Sequence, residues 1–203
     1  MRVCLYGGAF DPPHRVHRTI IEAGRAQLDF DRVVVMPSGQ HPFKQDGAHA
    51  PGSVRAELCR LAFADLPWVS VDEREVRRHQ TSYTVDTLRA FRQALPPDDD
   101  LYFLIGSDNV PTLPLWREHH AALALAQFVV VPRAGHPMPP ADFDELDLTP
   151  QERAGLRAHV LTVEPSAVSS TEVRRRLRHG EDVSALLSVP VHEAIVGRHL
   201  YGT

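Results

Sequence analysis

The chain has 203 residues, of which 43% are hydrophobic and 24% are charged, and its formal net charge is −4. These values are typical of a soluble globular protein with one sizeable core, and the negative charge argues against broad binding to nucleic acid or to anionic membranes. The chain has two cysteines and no apolar run approaching about 18 residues. We therefore expect no disulfide framework, no zinc finger, no membrane span and a cytoplasmic location.

Apolar runs and amphipathic patterns alternate along the chain. Short apolar runs bounded by turn residues predict six buried strands, at 2–7, 32–39, 68–73, 101–108, 128–135 and 159–165. Amphipathic spacing predicts five helices, at 17–28, 53–66 with Ser53 as N-cap, 84–95 with Thr84 as N-cap, 170–180 and 189–200. Buried strands that alternate with helices predict an α/β fold, a doubly wound parallel sheet with helices on both faces.

The organisation of the chain predicts a single domain over residues 1–203, because neither a repeat nor a linker interrupts it. The stretch 133–150 is rich in proline and aspartate and is predicted to be a mobile surface loop, with 40–52 as a second loop. Residues 170–203 form the C-terminal helical part.

The sequence GGAFDPPHRVH, residues 7–17, follows the first strand. Gly7 and Gly8 let backbone N–H groups approach a ligand closely, and a helix that begins near His14 points its positive end at the same place. Ligands of open parallel sheets bind outside the carboxyl ends of the strands, where this loop, 106–109 and 166–174 are expected to converge. The loop matches neither the dinucleotide fingerprint nor a P-loop, so imidazoles are expected to hold a phosphate there.

His14 and His17 are three residues apart and share one helical face. Three interpretations are open: a solvated pair, two metal ligands without an evident third ligand, or two hydrogen-bond donors to a phosphate. A second motif favours the phosphate donors, because Ser169, Ser170 and Thr171 stand at a helix start with Arg174 three residues on. An ordinary N-cap followed by a basic solvated helix face is the alternative for that motif.

These stretches resemble the nucleotidyltransferase superfamily with (H/T)xGH and SSTxxR signatures, and within it the bacterial nicotinate-nucleotide adenylyltransferase family. Residues 7–17 match the pattern G-G-x-F-D-P-x-H-x-G-H except at Val16. Further matches follow in family order: PSGQHPFK (37–44), TSYTVDTL (81–88), IGSD (105–108), VPRAG (131–135), VSSTEVR (168–174) and the ending LY (200–201). The resemblance covers almost the whole chain and implies a Rossmann-like form of the predicted sheet.

The resemblance implies that the protein transfers the adenylyl group of ATP to nicotinate mononucleotide, giving deamido-NAD and pyrophosphate. The mononucleotide phosphate would attack the α-phosphorus directly, with Mg²⁺ held mainly by the ATP phosphates and no protein metal ligand. His14 and His17 would stabilise the transition state, and Arg174 with the N–H groups of Ser170 and Thr171 would hold the pyrophosphate. ATP and the mononucleotide are the implied partners, without nucleic acid or membrane, and a homo-oligomer stays open.

The resemblance also assigns the two nucleotide subsites. The remaining ATP-binding positions would be Gly7, Gly8, Ala9, Phe10, Gly106, Asp108 and Ser169. Of these, Asp108 would accept hydrogen bonds from ribose hydroxyls, whereas Phe10 is expected to pack behind the loop. The acceptor nucleotide would contact Lys44, Thr84, Trp116 and Arg133. Ordinary core packing is the alternative for Trp116, and a solvated loop lysine is the alternative for Lys44.

Three alternatives to this function stay open at this point. The same scaffold accepts a different acceptor, nicotinamide mononucleotide or another phosphorylated compound. A protein that binds nucleotides without catalysis would keep the same fold. A metal site at His14 and His17 would give a third class of protein.

Overall fold

The computed structural model describes residues 1–39, 49–78 and 81–203. Five strands form its sheet: β1 (Arg2–Gly8), β2 (Arg32–Pro37), β3 (Val69–Val71), β4 (Asp100–Gly106) and β5 (Gln127–Val131). The α-helices are α1 (Arg15–Leu28), α2 (Gly52–Ala62), α3 (Arg74–Arg77), α4 (Thr84–Ala94), α5 (His119–Leu125), α6 (Pro150–Ala158), α7 (Ser170–Arg178) and α8 (Val189–Gly197). Two 3-10 helices span Ser107–Leu115 and Leu200–Gly202.

The five strands form one parallel sheet in the order β3-β2-β1-β4-β5. β1 lies in the centre, so that Leu5 pairs with Val34 of β2 on one side and with Phe103 of β4 on the other. The strand order reverses between β1 and β4, and a crevice opens at that point outside the carboxyl ends of the strands. The predicted doubly wound Rossmann-like sheet is therefore confirmed.

Both faces of the sheet are covered, because alternate residues of each strand enter different cores. Leu5 and Phe103 pack with α4, α5, α6 and the first 3-10 helix. Cys4 and Tyr6 pack on the opposite face with α1 and α2. A third cluster joins α2 to α7 and α8, and it attaches the C-terminal helices to the rest of the fold.

The prediction of a sixth strand over 159–165 is wrong. Val160 makes one isolated parallel bridge to Val130, and the chain then leaves the sheet. Beyond that bridge, Glu164, Ser166 and other residues line a cavity at the carboxyl end of β5. From there the chain runs to α7 without further ladder partners, so the segment is not a strand.

Two predicted helix caps also differ. α2 begins at Gly52 after Pro51, and α4 begins at Thr84 after Tyr83, so neither Ser53 nor Thr84 is an N-cap. The short helices α3, α5 and α6 were not predicted. α6 carried a readable signal, since Thr149 accepts a hydrogen bond from the N–H of Glu152 in a capping box with proline at the first helical position.

The stretch 133–150, predicted to be a surface loop, is buried in part. Phe143 and Leu148 are buried in the core of the α4 face. Of the other predicted loop, 40–52, residues 40–48 lie outside the described part of the chain. Across the residues that the structure describes, no helix is long and apolar enough to cross a membrane.

Candidate active site

A narrow cavity lies at the switch point, between the N-terminal end of α1 and the carboxyl end of β5. Its volume is about 40 Å³, room for a few water molecules at most. The lining combines imidazole and guanidinium groups with aliphatic side chains: His14, Val16, His17, Thr19, Ile20, Val131, Pro132, Arg133, Val163, Glu164, Ser166 and Val168. Polar groups of two segments converge here, although the cavity is far smaller than the roughly 300–1,000 Å³ of typical small-molecule sites.

The two histidines are stacked at the start of α1. Their ring centroids are 3.7 Å apart, and Nδ1 of His17 accepts a hydrogen bond of 3.0 Å from the backbone N–H of His14. His14 is 8% exposed, and its Nδ1 has no hydrogen-bond partner among the described residues. The pair is held by local backbone geometry, with ring nitrogens left for a ligand.

Burial keeps both rings neutral in the free protein. Desolvation, followed by the charge of Arg133, lowers the pKa of His14 to about 4. Desolvation also lowers the pKa of His17 well below its usual value, with smaller contributions from His14 and Arg133. Because Nδ1 of His17 accepts a hydrogen bond, the proton of its neutral ring lies on Nε2. His17 is therefore a ready donor to an anion.

Phe10 lies behind the histidines and is fully buried. Its ring contacts His17 edge-on, with centroids 4.9 Å apart, and it also contacts Tyr6, with centroids 5.3 Å apart. A side chain at Gly8 would meet the Phe10 ring at 3.1 Å. Gly8 therefore permits the close packing of Phe10, and Phe10 itself supports the ring of His17.

Asp11 ties the loop after β1 to two distant segments. Its carboxylate is 3% exposed and accepts hydrogen bonds from the N–H groups of His49 (2.7 Å) and Ala50 (3.1 Å) and from the hydroxyl of Tyr201 (2.8 Å). Asp11 therefore joins the loop after β1 to the segment at 49–50 and to the C-terminal turn.

Arg55 holds the loops around the site together, and the sequence analysis missed it. It lies in α2, is 3% exposed, and donates to the carbonyl oxygens of Ala9 (2.6 Å), Ser38 (2.8 Å) and Ala50 (3.1 Å). These carbonyls belong to the loops after β1 and β2 and to the segment before α2. Nothing in the local sequence around Arg55 signals this role, because all three partners lie in other segments.

The second motif reaches the same loop from the opposite side. Ser169 is the N-cap of α7, and its Oγ accepts from the N–H of Glu172. Ser170 donates its hydroxyl to the carbonyl of Pro12 at 2.9 Å. Arg174 donates from Nη1 to the carbonyl of Asp11 at 2.6 Å. The N-terminus of α7 is thus fastened to the loop that carries the histidines, as expected for two motifs of one site.

The hydroxyl of Ser169 caps α7, as in the ordinary-cap alternative. The guanidinium of Arg174, in contrast, has an N–H group without a hydrogen-bond acceptor among the described residues. Its Nη2 lies 3.3 Å from Oγ1 of Thr171, and its Nε is buried without a hydrogen-bond partner in the described chain. Orphan N–H groups at the start of α7 and a guanidinium beside them form an anion-binding arrangement.

The end of β4 holds an ion pair. Nε of Arg133 is 3.0 Å from Oδ1 of Asp108, and a side chain at Gly106 would overlap both groups. Ser107 orients the pair, since its Oγ accepts from the N–H of Arg133. Arg133 was predicted to bind the acceptor nucleotide. It lies instead beside His14 and Asp108, which were predicted to bind ATP.

Two of the other residues predicted for the acceptor nucleotide, Thr84 and Trp116, lie on the α4 side of the sheet. Thr84 is the first residue of α4, and Trp116 ends the first 3-10 helix. Trp116 is half-buried and packs against Phe128, with ring centroids 6.5 Å apart, so core packing accounts for part of its surface. Lys44 lies outside the described residues.

A metal site at the histidine pair finds no support in the described residues. The group close enough to hold a metal ion in these ranges is His119, His120 and Asp147, which does not include His14 or His17. Asp11 is engaged by N–H and hydroxyl donors and Asp108 by Arg133, whereas Glu164, which lines the same cavity, is exposed.

Comparison with known proteins gives the family. A model of the family described as cytidylyltransferase-like matches residues 5–176. This chain belongs to the cytidylyltransferase-like family. Full-length relatives include a probable nicotinate-nucleotide adenylyltransferase of Albidiferax ferrireducens, which is 37% identical over 100% of this chain and 98% of its own. Another of that name from Dehalococcoides mccartyi is 34% identical over 99% and 97%.

Solved structures share the fold of this family member. Nicotinic acid mononucleotide adenylyltransferase of Plasmodium falciparum in complex with NaAD superposes with a TM-score of 0.75 at 16% identity, covering 98% of this chain and 97% of its own. The same enzyme in complex with APC gives a TM-score of 0.74 at 15% identity over 98% and 96%. At these identities the likeness extends to the fold alone.

Proposed function

We propose that the protein is a nicotinate-nucleotide adenylyltransferase, which transfers the adenylyl group of ATP to nicotinate mononucleotide and releases pyrophosphate. Relatives of that name match the chain from end to end at 32–37% identity. One structural observation supports the activity most strongly. Arg174 and the start of α7 are fastened to the loop that begins α1, so that two sets of anion donors flank one crevice.

The proposed chemistry needs position and charge more than a nucleophile on the protein. A phosphate oxygen of the mononucleotide forms a bond to the α-phosphorus of ATP, and the bond from that phosphorus to the β-phosphate bridging oxygen breaks. The attacking phosphate is already ionised at pH 7, so no general base is required. Negative charge moves to the leaving pyrophosphate, where fixed donors stabilise it.

The histidines and α7 divide this work. Nε2–H of His17 and the ring N–H of His14 donate to the ATP phosphates, whose charge raises the low pKa of both rings. Arg174 and the N–H groups of Ser170 and Thr171 hold the departing pyrophosphate. Asp108, which forms an ion pair with Arg133, accepts from ribose hydroxyls.

Mg²⁺ fits this site as a partner of the nucleotide. Asp11 and Asp108 are engaged by protein donors, and the ion would be held mainly by triphosphate oxygens and water. When bound, it would neutralise charge on the triphosphate. For the acceptor, Trp116 offers a half-buried ring face to the pyridine, with Thr84 and Lys44 as the other predicted contacts.

The test is a side-by-side assay with Mg·ATP and either nicotinate or nicotinamide mononucleotide, with pyrophosphate and the dinucleotide both measured. We expect faster turnover with nicotinate mononucleotide. Arg174→Ala is expected to lose most of this activity, whereas Arg178→Ala, at the exposed end of the same helix, is expected to keep it. Faster turnover with nicotinamide mononucleotide would show that the amide, not the acid, is the preferred acceptor. ATP binding without release of pyrophosphate in the presence of either mononucleotide would contradict catalysis.

A further inference from the structure

The last residues of the chain form a turn in an unusual conformation. His199 has a φ of 51° and Tyr201 a φ of 61°, in the left-handed region that side chains other than glycine rarely adopt. Two residues in this conformation within one turn persist because contacts with the surrounding structure stabilise the turn. One of these contacts aims the phenol of Tyr201 inwards.

The hydroxyl of Tyr201 donates a hydrogen bond of 2.8 Å to Oδ1 of Asp11, which lies 190 residues earlier in the chain. The same carboxylate accepts from the N–H groups of His49 and Ala50. Burial and the nearby Asp11 raise the pKa of Tyr201 well above its usual value, so the phenol stays protonated and remains a donor. The C-terminal turn therefore closes a buried network.

Arg174 belongs to the same network. Its Nη1 donates to the backbone carbonyl of Asp11 at 2.6 Å and lies 3.8 Å from Oδ2 of that residue. Both side chains are shielded from solvent, with 12% and 4% exposed. A shift of Asp11 therefore moves the group that positions Arg174, while Tyr201 itself is separated from the arginine by the aspartate.

We propose that Tyr201 is a positioning residue, which holds Asp11 so that Arg174 is aimed at the pyrophosphate of ATP. This inference rests on the proposed function of Arg174. It gives Tyr201 a role that the reaction chemistry alone does not assign. The effect is transmitted through two hydrogen bonds, from the phenol to the Asp11 carboxylate and from Arg174 to the Asp11 carbonyl.

The variant Tyr201→Phe tests the role because it removes the hydroxyl and keeps the ring. We expect kcat to fall about tenfold and the inhibition constant for pyrophosphate to rise by a similar factor, since a charge-assisted hydrogen bond is lost, with the KM for the mononucleotide within twofold of wild type. Tyr102→Phe is the matched control, because Tyr102 packs in the core of the α1 face. It is expected to keep wild-type kcat and pyrophosphate affinity.

Two further measurements separate the outcomes. Asp11→Asn is expected to weaken pyrophosphate in the same way, and adding Tyr201→Phe to it is expected to change little more. Pyrophosphate binding measured by calorimetry needs no turnover, so it tests the network even if the wild-type protein forms no dinucleotide, a result that would contradict the proposed function instead. A Tyr201→Phe protein with a lower melting temperature but wild-type kcat and pyrophosphate affinity would overturn the inference.

Discussion

The backbone N–H of His14 donates a 3.0 Å hydrogen bond to Nδ1 of His17. This bond joins the N-cap residue of α1 to the third residue of that helix, a relation that a carboxylate or amide side chain more often makes. It fixes both the orientation and the tautomer of the His17 ring. The start of the helix and the proposed phosphate donor are therefore one structural unit.

His17→Ala is expected to lower kcat with Mg·ATP by roughly a hundredfold or more, which corresponds to about 3 kcal/mol. The loss of the capping acceptor is expected to cost only about 1 kcal/mol of folding free energy. Steady-state kinetics and a thermal melt measure the two effects. His179→Ala, at the exposed end of α7, is the control. Near-wild-type turnover of His17→Ala would contradict the assigned role.

Folding stability is expected to fall as the pH is lowered below 6.5. The pKa of His14 is about 4 in the folded protein against 6.5 for an unperturbed histidine. Between these two values the unfolded chain binds a proton at His14 and the folded protein does not. Between pH 7 and pH 5 this difference costs about 2 kcal/mol of unfolding free energy. Urea denaturation at the two pH values measures it. His14→Gln is expected to lose that much less stability on acidification, and an equal loss would show that the pKa of His14 is not lowered in the folded protein.

The sheet was predictable from the sequence because its strands are continuous apolar runs whose ends carry the motifs. Gly7 at the end of β1 and Gly106 at the end of β4 each stand where the chain turns into the crevice. The prediction of a sixth strand was wrong for a physical reason. Val160 and Leu161 look like a strand locally, but only one residue of the segment finds a ladder partner.

The parts of the site that depend on long-range backbone contacts were not predictable. Arg55 resembles any other arginine on an amphipathic helix, and its partners Ala9 and Ser38 are joined to it only by the fold. The contact between Tyr201 and Asp11 has the same origin. Sequence patterns report periodicity and local turns, whereas these hydrogen bonds are set by how separate segments meet.

Trp116→Ala is expected to raise the KM for the mononucleotide far more than the KM for ATP. A stacked aromatic ring is worth on the order of 1–3 kcal/mol, by analogy with stacked bases. Because Trp116 also packs near Phe128, the melting temperature is expected to fall as well. Trp68→Ala is the control, since Trp68 packs under Arg25 in the other core and is expected to lower stability alone. Equal changes in both KM values would contradict the acceptor assignment.

Val16→Gly is expected to lower the KM for ATP and the melting temperature together. Val16 lines the cavity of about 40 Å³ at the position where the resembled family carries glycine, and its branched side chain occupies space at the expected adenosine. Glycine in a helix costs about 0.5–1 kcal/mol relative to alanine. ATP titration kinetics and a thermal melt of both proteins measure the change. Weaker ATP binding by the variant would show that the pocket has formed around valine.

The fate of the ATP phosphates tests the central claim most directly. Protein, Mg²⁺ and nicotinate mononucleotide are incubated with ATP labelled at the α-phosphate or, separately, at the γ-phosphate, and the products are separated. Direct attack on the α-phosphorus predicts that the α-label appears in deamido-NAD and the γ-label in pyrophosphate. Labelled AMP without labelled dinucleotide, or γ-label in inorganic phosphate or in the mononucleotide, would contradict adenylyl transfer.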